Sequence, residues 1–400
     1  MGDGIRFAAL PLLAAVTLHN PVLVSAVTTV TTVPWLLFGI AAGAYVDRSD
    51  KRTVMALADS VRAAALLGTA GLLAVGRLSL PALLGLAFVL GVGEVLADCA
   101  SFAILPSLVP ADRLETANGR LYGGQTFGRD LAGHAVGGIL FSLARVIPLL
   151  ADAASFTASA ALILGIPRQE RQPRNPARPA GSFLREIAEG ARFILADRLL
   201  RVLTLLAAVI NAVFLGQVSI LVLLVLRVLR LPPPAYGLLL ALGAVGSVLG
   251  ALSAQRARAL IGREVAVLVC LLAIGISSLL LALGLTALVA AGYFLLGFAT
   301  MLWNVIVATL RQSRAPGHLL GRTVGAARMV AWGTMPLGGV LYGLAASTWG
   351  IRVPFLAGGV LILAAGLAAS PALLTARRQA AASHTAQPPD RAAAQAGDDS

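Results

Sequence analysis

Eleven stretches of this chain, near 23–46, 53–75, 81–107, 119–143, 147–166, 203–226, 236–255, 265–284, 287–310, 324–346 and 353–374, are long and apolar enough to cross a lipid bilayer. Each crossing needs about 20 mostly apolar residues. That repetition limits the fold more than any motif does. Backbone exposed to hydrocarbon must satisfy its own N–H and C=O groups, so only helices and closed barrels can span. Continuous apolar runs of this length do not alternate as barrel strands would, which leaves helices. One further stretch, residues 4–18, is short, and Asp3 and Arg6 lie almost at its start. The expectation there is a first span that has lost its N-terminal half. Counting it, the fold class is an all-α polytopic membrane protein of twelve spans, numbered 1 to 12 in chain order.

Composition supports the same reading. Hydrophobic residues make up 58% of the 400, charged residues only 12%, against about a quarter in a soluble domain. Too little charge remains to wet a water-facing surface, so the apolar residues face lipid as well as each other. The net charge of +13 would suggest nucleic acid in a soluble protein, but here it follows location. The gaps after even-numbered spans, with Arg120 at the mouth of span 5, hold 19 basic residues; the odd-numbered gaps hold Arg77, Arg145, Arg227, Arg230 and Arg352. By the positive-inside rule the even gaps and both termini are cytoplasmic, in a multi-pass plasma-membrane protein with no nucleic-acid partner. Cys99 and Cys270 stand alone in apolar runs and match no metal or redox spacing. The first apolar stretch has no basic leader and no Ala-x-Ala site, so no cleavable signal is expected.

The longest internal polar stretch, 167–201, separates an N-terminal bundle (1–166) from a C-terminal one (202–374). Within it Phe183, Ile187, Ala191 and Phe193–Ile194 recur at helical spacing among charges, which predicts an amphipathic helix on the inner membrane face. Residues 375–400 lack core-forming side chains and are expected to be a disordered cytoplasmic tail. The halves echo each other weakly. Gly43 to Arg48 after span 2 matches Gly250 to Arg256 after span 8, and Arg120 with Gly137-Gly138 matches Arg322 with Gly338-Gly339, at offsets of about 200 residues. Internal repeats of this kind occur in secondary transporters, with the substrate site between the halves.

The sharpest local signal is Gly43-Ala-Tyr-Val-Asp47-Arg48-Ser-Asp50-Lys51-Arg52 between spans 2 and 3. With it the chain resembles the major facilitator superfamily, whose loop signature is Gly-x-x-x-Asp-Arg-x-x-Arg/Lys-Arg. Asp152-Ala-Ala-Ser-Phe156, Leu105-Pro106-Ser-Leu-Val-Pro110, Gly321-Arg322 and Pro336-Leu-Gly-Gly339 extend the resemblance over nearly the whole chain. It points to the drug and siderophore exporter branch, of the transmembrane secretion effector type that includes enterobactin and macrolide efflux proteins. The resemblance implies two six-helix bundles, and a conformational latch at Gly43, Asp47, Arg48, Lys51 and Arg52. It also implies helix-packing motifs at Gly133, Gly137 and Gly138 and at Pro336, Gly338 and Gly339. Exporters of this superfamily usually carry Gly-Pro-x-x-Gly-Gly in span 5; here His134 replaces the proline. That leaves the helix bend open, and His134 is either a titratable group or a neutral packed one.

Ionisable residues at membrane depth are costly and mark function by default. Glu94 and Asp98 lie four apart on one face of span 4, Arg129, Asp130 and His134 fall near the middle of span 5, and Asp3 begins the chain. Two carboxylates held close and partly desolvated cannot both ionise easily. Glu94 and Asp98, with Asp130 as third candidate, are therefore expected to carry a proton, with Arg129 as the competing positive charge. A static ion-pair network between spans 4 and 5 is the structural alternative. Asp59 and Arg62, three apart in span 3, are expected to pair with each other or the latch. Trp35, Trp303 and Trp332 either line an aromatic cavity or pack in the core.

No Gly-x-x-x-x-Gly-Lys-Ser/Thr loop is present, the single lysine stands in the latch, and the four histidines are scattered. The expectation is a secondary transporter with no cofactor or metal, not an enzyme, working as a monomer. It would export a small amphiphilic compound (drug, natural product or siderophore) by alternating access against inward proton flow. Proton-coupled uptake of a metabolite is the runner-up, a transporter-like sensor the third reading.

Overall fold

The computed structural model describes residues 1–109, 124–165, 180–314 and 316–385, apart from some side chains within its helices. Among these residues every regular element is helical, and ten helices are long and apolar enough to cross a membrane. They are spans 2 to 4, 6 to 10 and 12, with span 11 counted as one from Arg322 to Trp349. Span 1 is the helix Gly2–Thr17, about 24 Å long at 1.5 Å per residue. Span 5 is described from residue 124 onward and runs as a π-helix, Thr126–Gly133, into an α-helix, His134–Leu143.

Short polar residues set the helix starts. The Asn20 side chain accepts from the Val22 N–H with Pro21 in the first helical position, where a missing N–H costs nothing. Asp50 caps span 3 by accepting from the Arg52 N–H at 3.1 Å. Asp197 caps span 7 through the Leu200 N–H at 3.0 Å. At Gly284 the chain turns between spans 9 and 10 with φ +65°, a conformation that disfavours any side chain. Leu162, Leu252, Leu260 and Leu367, each more than 70% exposed, form part of the apolar exterior that the composition requires.

Span 11 differs from the single helix expected. It consists of Gly317–Gly333 and Met335–Trp349, broken at Thr334. Pro336 lies in the first turn of the second segment, and the Thr334 hydroxyl donates to the Ala208 carbonyl of span 7 at 2.8 Å. The proline cannot donate to the preceding turn. Span 12 runs Arg352–Thr385, eleven residues past its expected end at Leu374, because the alanine-rich continuation favours helix although it has no apolar core. The first part of the presumed disordered tail, 375–385, is thus helical; residues 386–400 lie outside the described residues.

The linker helix runs Ala180–Ala196, and part of its apolar face docks on protein. Ile194, with Ala191 and Phe193, packs on Leu200, Ala326 and Ala327 of spans 7 and 11, whereas Leu195 is exposed. Gly190 sits against the Arg322 carbonyl, with no room for a side chain, while Glu189 pairs with Arg322 and Arg314 with Asp197 at 3.5 Å. Phe183 and Ile187 lie outside the described side chains. Small residues at Gly190, Ala326 and Ala327 let the helix dock, a property that amphipathic periodicity does not reveal.

Helices 1 to 6 pack mainly among themselves, as do 7 to 12. The halves join through spans 1, 2 and 5 on one side and 7, 8 and 11 on the other. Their close contacts gather toward the arginine-poor ends. Gly138 meets Gly237 and the Pro233 carbonyl, Gly339 meets Thr29, and Gly343 meets Ser25. Arg227 donates to the His19 and Leu18 carbonyls at 2.9 and 3.2 Å. Farther along, Trp35 and Trp332 touch edge to face at 5.4 Å. Beyond that pair, toward the arginine-rich ends, no extensive packing joins spans 3, 4 and 5 to spans 10 and 11 among the described residues. Among the described residues the halves form a wedge, closed at the arginine-poor end and open at the other.

Candidate functional site

Charged side chains converge inside the N-terminal half. Arg6 of span 1, only 6% exposed, donates to Asp3 at 2.9 Å and to Glu94 of span 4 at 3.2 Å, and its Nε lies 3.8 Å from Asp152 of span 6. Arg129 of span 5 donates to the other Glu94 oxygen at 2.9 Å and lies 3.9 Å from Asp130. Arg62 of span 3 pairs with Asp59 and stands 3.6 Å from Asp3, its guanidinium 4.1 Å above the Phe156 ring. Five helices are thereby tied together by one chain of charges. Removed from water, such groups need partners, since an unpaired buried charge is strongly destabilising.

Close backbone approach makes the convergence possible. A side chain at Gly4 would collide with the Arg129 carbonyl, one at Gly133 with Gly4, and one at Gly137 with the Ile5 backbone. The π-helical turn Thr126–Gly133 carries Arg129 and Asp130. Such turns are rare, and frequent at functional sites. It supplies an irregularity directly before His134, where the proline of related exporters would stand.

The sequence candidates divide. Asp3, Glu94, Arg129 and Asp130 join the network. Glu94 does so as the bridge between Arg6 and Arg129, and it also lies within electrostatic reach of Asp98. Asp98, one turn on, makes no ion pair among the described residues; it lines a cavity of about 300 Å³ with Asp3, Asp59, Arg62, Ser101, Ser155 and Ser159. His134 is buried at 8% exposure against Phe7, ring centroids 5.0 Å apart. It belongs to the packed side of span 5 and forms no ion pair among the described residues. Trp303 is core, at 2% exposure, whereas Trp35 and Trp332 meet across the halves.

Two members were missed as site residues. Arg62 reaches beyond its expected partner Asp59 to Asp3, and Asp152, with no exposed surface, faces Arg6. An aspartate six residues inside an apolar run was the available signal for Asp152.

In the latch loop, the side chains of Gly43, Asp47 and Arg48 lie outside the described residues. Lys51 opens span 3. Arg52 donates from Nε to the Ile163 carbonyl at 3.1 Å and from Nη2 to the Leu164 carbonyl, covering the end of span 6 where helical carbonyls lack partners.

The glycine motifs repeat their geometry. Gly137 meets span 1 and Gly138 crosses to span 8; Gly338 meets Ala212 of span 7 and Gly339 crosses to Thr29 of span 2.

The sequence profile of the family described as transmembrane secretion effector matches residues 3–397. The multidrug efflux pump Tap of Mycobacterium tuberculosis is 28% identical over 387 residues, covering 92% of this chain and 89% of that one. The transporter YfiS of Bacillus subtilis is 24% identical over 378 residues, covering 92% and 88%. Among solved structures, the nucleoside transporter NupG aligns with a TM-score of 0.74 at 12% identity over 93% of this chain and 97% of that one. A bacterial homologue of the iron transporter ferroportin, in an inward-facing state, aligns at 0.70 and 17% identity over 92% and 95%. These low identities speak to fold alone. The match over nearly its full length makes this chain a multi-pass membrane transporter rather than an enzyme, a member of the transmembrane secretion effector family within the major facilitator superfamily.

Proposed function

We propose that the protein exports a small amphiphilic organic compound from the cytoplasm in exchange for protons, by alternating access of two six-helix halves. The observation that carries this reading is the wedge. Its glycine-lined seam closes the arginine-poor end, its other end is open, and a carboxylate–guanidinium network lies in the wall of one half. By the arginine distribution the open end is cytoplasmic, with both termini on that side of the plasma membrane. Aromatic Trp35 and Trp332 near the apex and few acids in the opposing half suit an amphiphile better than a sugar. Tap, named as a multidrug efflux pump, supports the direction. Both halves of the cavity come from one chain, so a monomer suffices.

The test uses inverted membrane vesicles containing the protein and the fluorescent amphiphile ethidium as probe. An acid lumen should drive ethidium in, and collapse of the gradient with nigericin should abolish that uptake. Accumulation that ignores the gradient removes proton coupling. Gradient-driven movement out of the vesicles assigns uptake into the cell instead of export.

A further inference from the structure

Among the described residues the network holds more carboxyls than guanidiniums. Asp3, Asp59, Glu94, Asp130 and Asp152 share Arg6, Arg62 and Arg129, and Asp98 adds a sixth carboxyl beside them. The guanidiniums stay charged, so their hydrogen bonds decide which carboxylates are compensated. Arg6 is engaged with Asp3 and Glu94, Arg62 with Asp59, and Arg129 with Glu94. Asp152 is left with proximity alone: its Oδ2 and the Arg6 Nε face each other at 3.8 Å, both buried and neither hydrogen-bonded. Asp152 has no exposed surface. Asp3 of span 1 and Arg62 of span 3 lie within electrostatic reach of it, and their charges oppose each other. A desolvated carboxylate in that position costs several kcal/mol unless it is compensated, and a bound proton removes the cost.

The neighbouring cavity supplies a way in. Asp98, Ser101, Ser155 and Ser159 line it, and the Ser155 hydroxyl donates to the Asp152 Oδ1 at 3.4 Å. The cavity lies among the start of span 1 and spans 3, 4 and 6 toward the arginine-rich ends of the latter three. Its volume of about 300 Å³ holds several waters, each occupying about 30 Å³ in the liquid.

We propose that Asp152 is the buried holding site of the coupled proton, with Asp98 as the port through which it exchanges across the serine-lined cavity. Loading forms one O–H bond at Asp152 Oδ1, the oxygen beside Ser155, with a proton delivered by water, converting the carboxylate to the acid; unloading returns the proton to water. Arg6 then keeps Asp3 and Glu94 as partners and loses the attraction of Asp152, so protonation loosens span 1 from span 6. This assignment rests on the coupling reading and replaces Glu94 as the carrier.

The test is infrared spectroscopy of the full chain in lipid nanodiscs across a pH series, following the carbonyl stretch of protonated carboxyls in dry surroundings. The wild type should show such a band, Asp152→Asn should lose it, and Asp152→Glu should shift it. Asp98→Asn should keep the band but slow its shift on transfer to D2O. Absence of the band from the wild type, or its persistence unmoved in Asp152→Glu, overturns the proposal; the glutamate variant decides if the asparagine variant does not fold. In the vesicle assay, gradient-driven ethidium transport that survives in Asp152→Asn rejects Asp152 and leaves coupling intact. Gradient-insensitive wild-type transport with the band present rejects coupling and leaves the proton site.

Discussion

Gly137 and Gly138 in span 5 behave as Gly338 and Gly339 do in span 11: the first of each pair meets a helix of its own half, the second crosses to the other half. The polar interiors share no such symmetry. In the N-terminal half five helices are tied by charges. In the C-terminal half the buried polar contact is neutral, Gln217 of span 7 donating to Ser278 of span 9, which donates onward to the Ile274 carbonyl at 3.0 Å. No carboxylate lies within the described C-terminal spans beyond Glu264 in the first turn of span 9. The seam must fit from both sides for the halves to close, so both keep their glycines. The carboxylates lie in one half, whereas Arg311 and Arg328 put only positive charge within spans 10 and 11.

The largest expected effect separates the two interiors. Glu94→Gln leaves the buried Arg6 hydrogen-bonded to Asp3 alone and the one-third-exposed Arg129 without its Glu94 partner, and should cost about 3 kcal/mol. Thermal unfolding of the detergent-solubilised protein reads that loss, and a stability equal to wild type would show that water already compensates the arginines. Next comes the seam. Gly138→Leu and Gly339→Leu should each disfavour the closed arginine-poor end by about 1–3 kcal/mol through overpacking, and by similar amounts. The rate at which Thr29→Cys, buried at the seam, reacts with a maleimide in Gly138→Leu measures the opening; unequal transport losses in the two leucine variants would break the symmetry. Gln217→Ala should cost about 1 kcal/mol, the scale of a hydrogen bond between membrane helices, measured by the same thermal unfolding. A loss as large as that of Glu94→Gln would make the neutral half equally dependent on its polar contact. Smallest is the linker clamp. The Glu189–Arg322 pair is about one-third exposed on each side, so Glu189→Ala should change stability by at most about 1 kcal/mol. That small difference should vanish in high salt, and a salt-independent loss would assign the docking to packing alone.

Legibility in the sequence followed the kind of force involved. The spans were readable because hydrophobicity is a local property summed over a window, and their bounds moved where another force intervened. Thr334 and Pro336 split span 11 through hydrogen bonding, and alanine propensity carried span 12 to Thr385. Asp3, Glu94 and Arg129 were readable as candidates because any charge in an apolar run is conspicuous. Their pairing was not, since it depends on how spans 1, 4 and 5 cross. Asp152 looked like part of a motif until the fold placed it behind Arg6, and His134, open in the sequence between a titratable and a packed group, lies against Phe7.

The sequence by itself determined that this chain lives in a bilayer, how its arginines distribute between the two sides, and that its halves repeat. Those are additive consequences of side-chain transfer energies and spacing. Only the tertiary structure decided which carboxylate each arginine serves, which glycine crosses between halves, and where the linker helix docks. Ion pairs and close packing act over a few ångströms between residues as far apart in the chain as Ser25 and Gly343, a distance that no local pattern encodes.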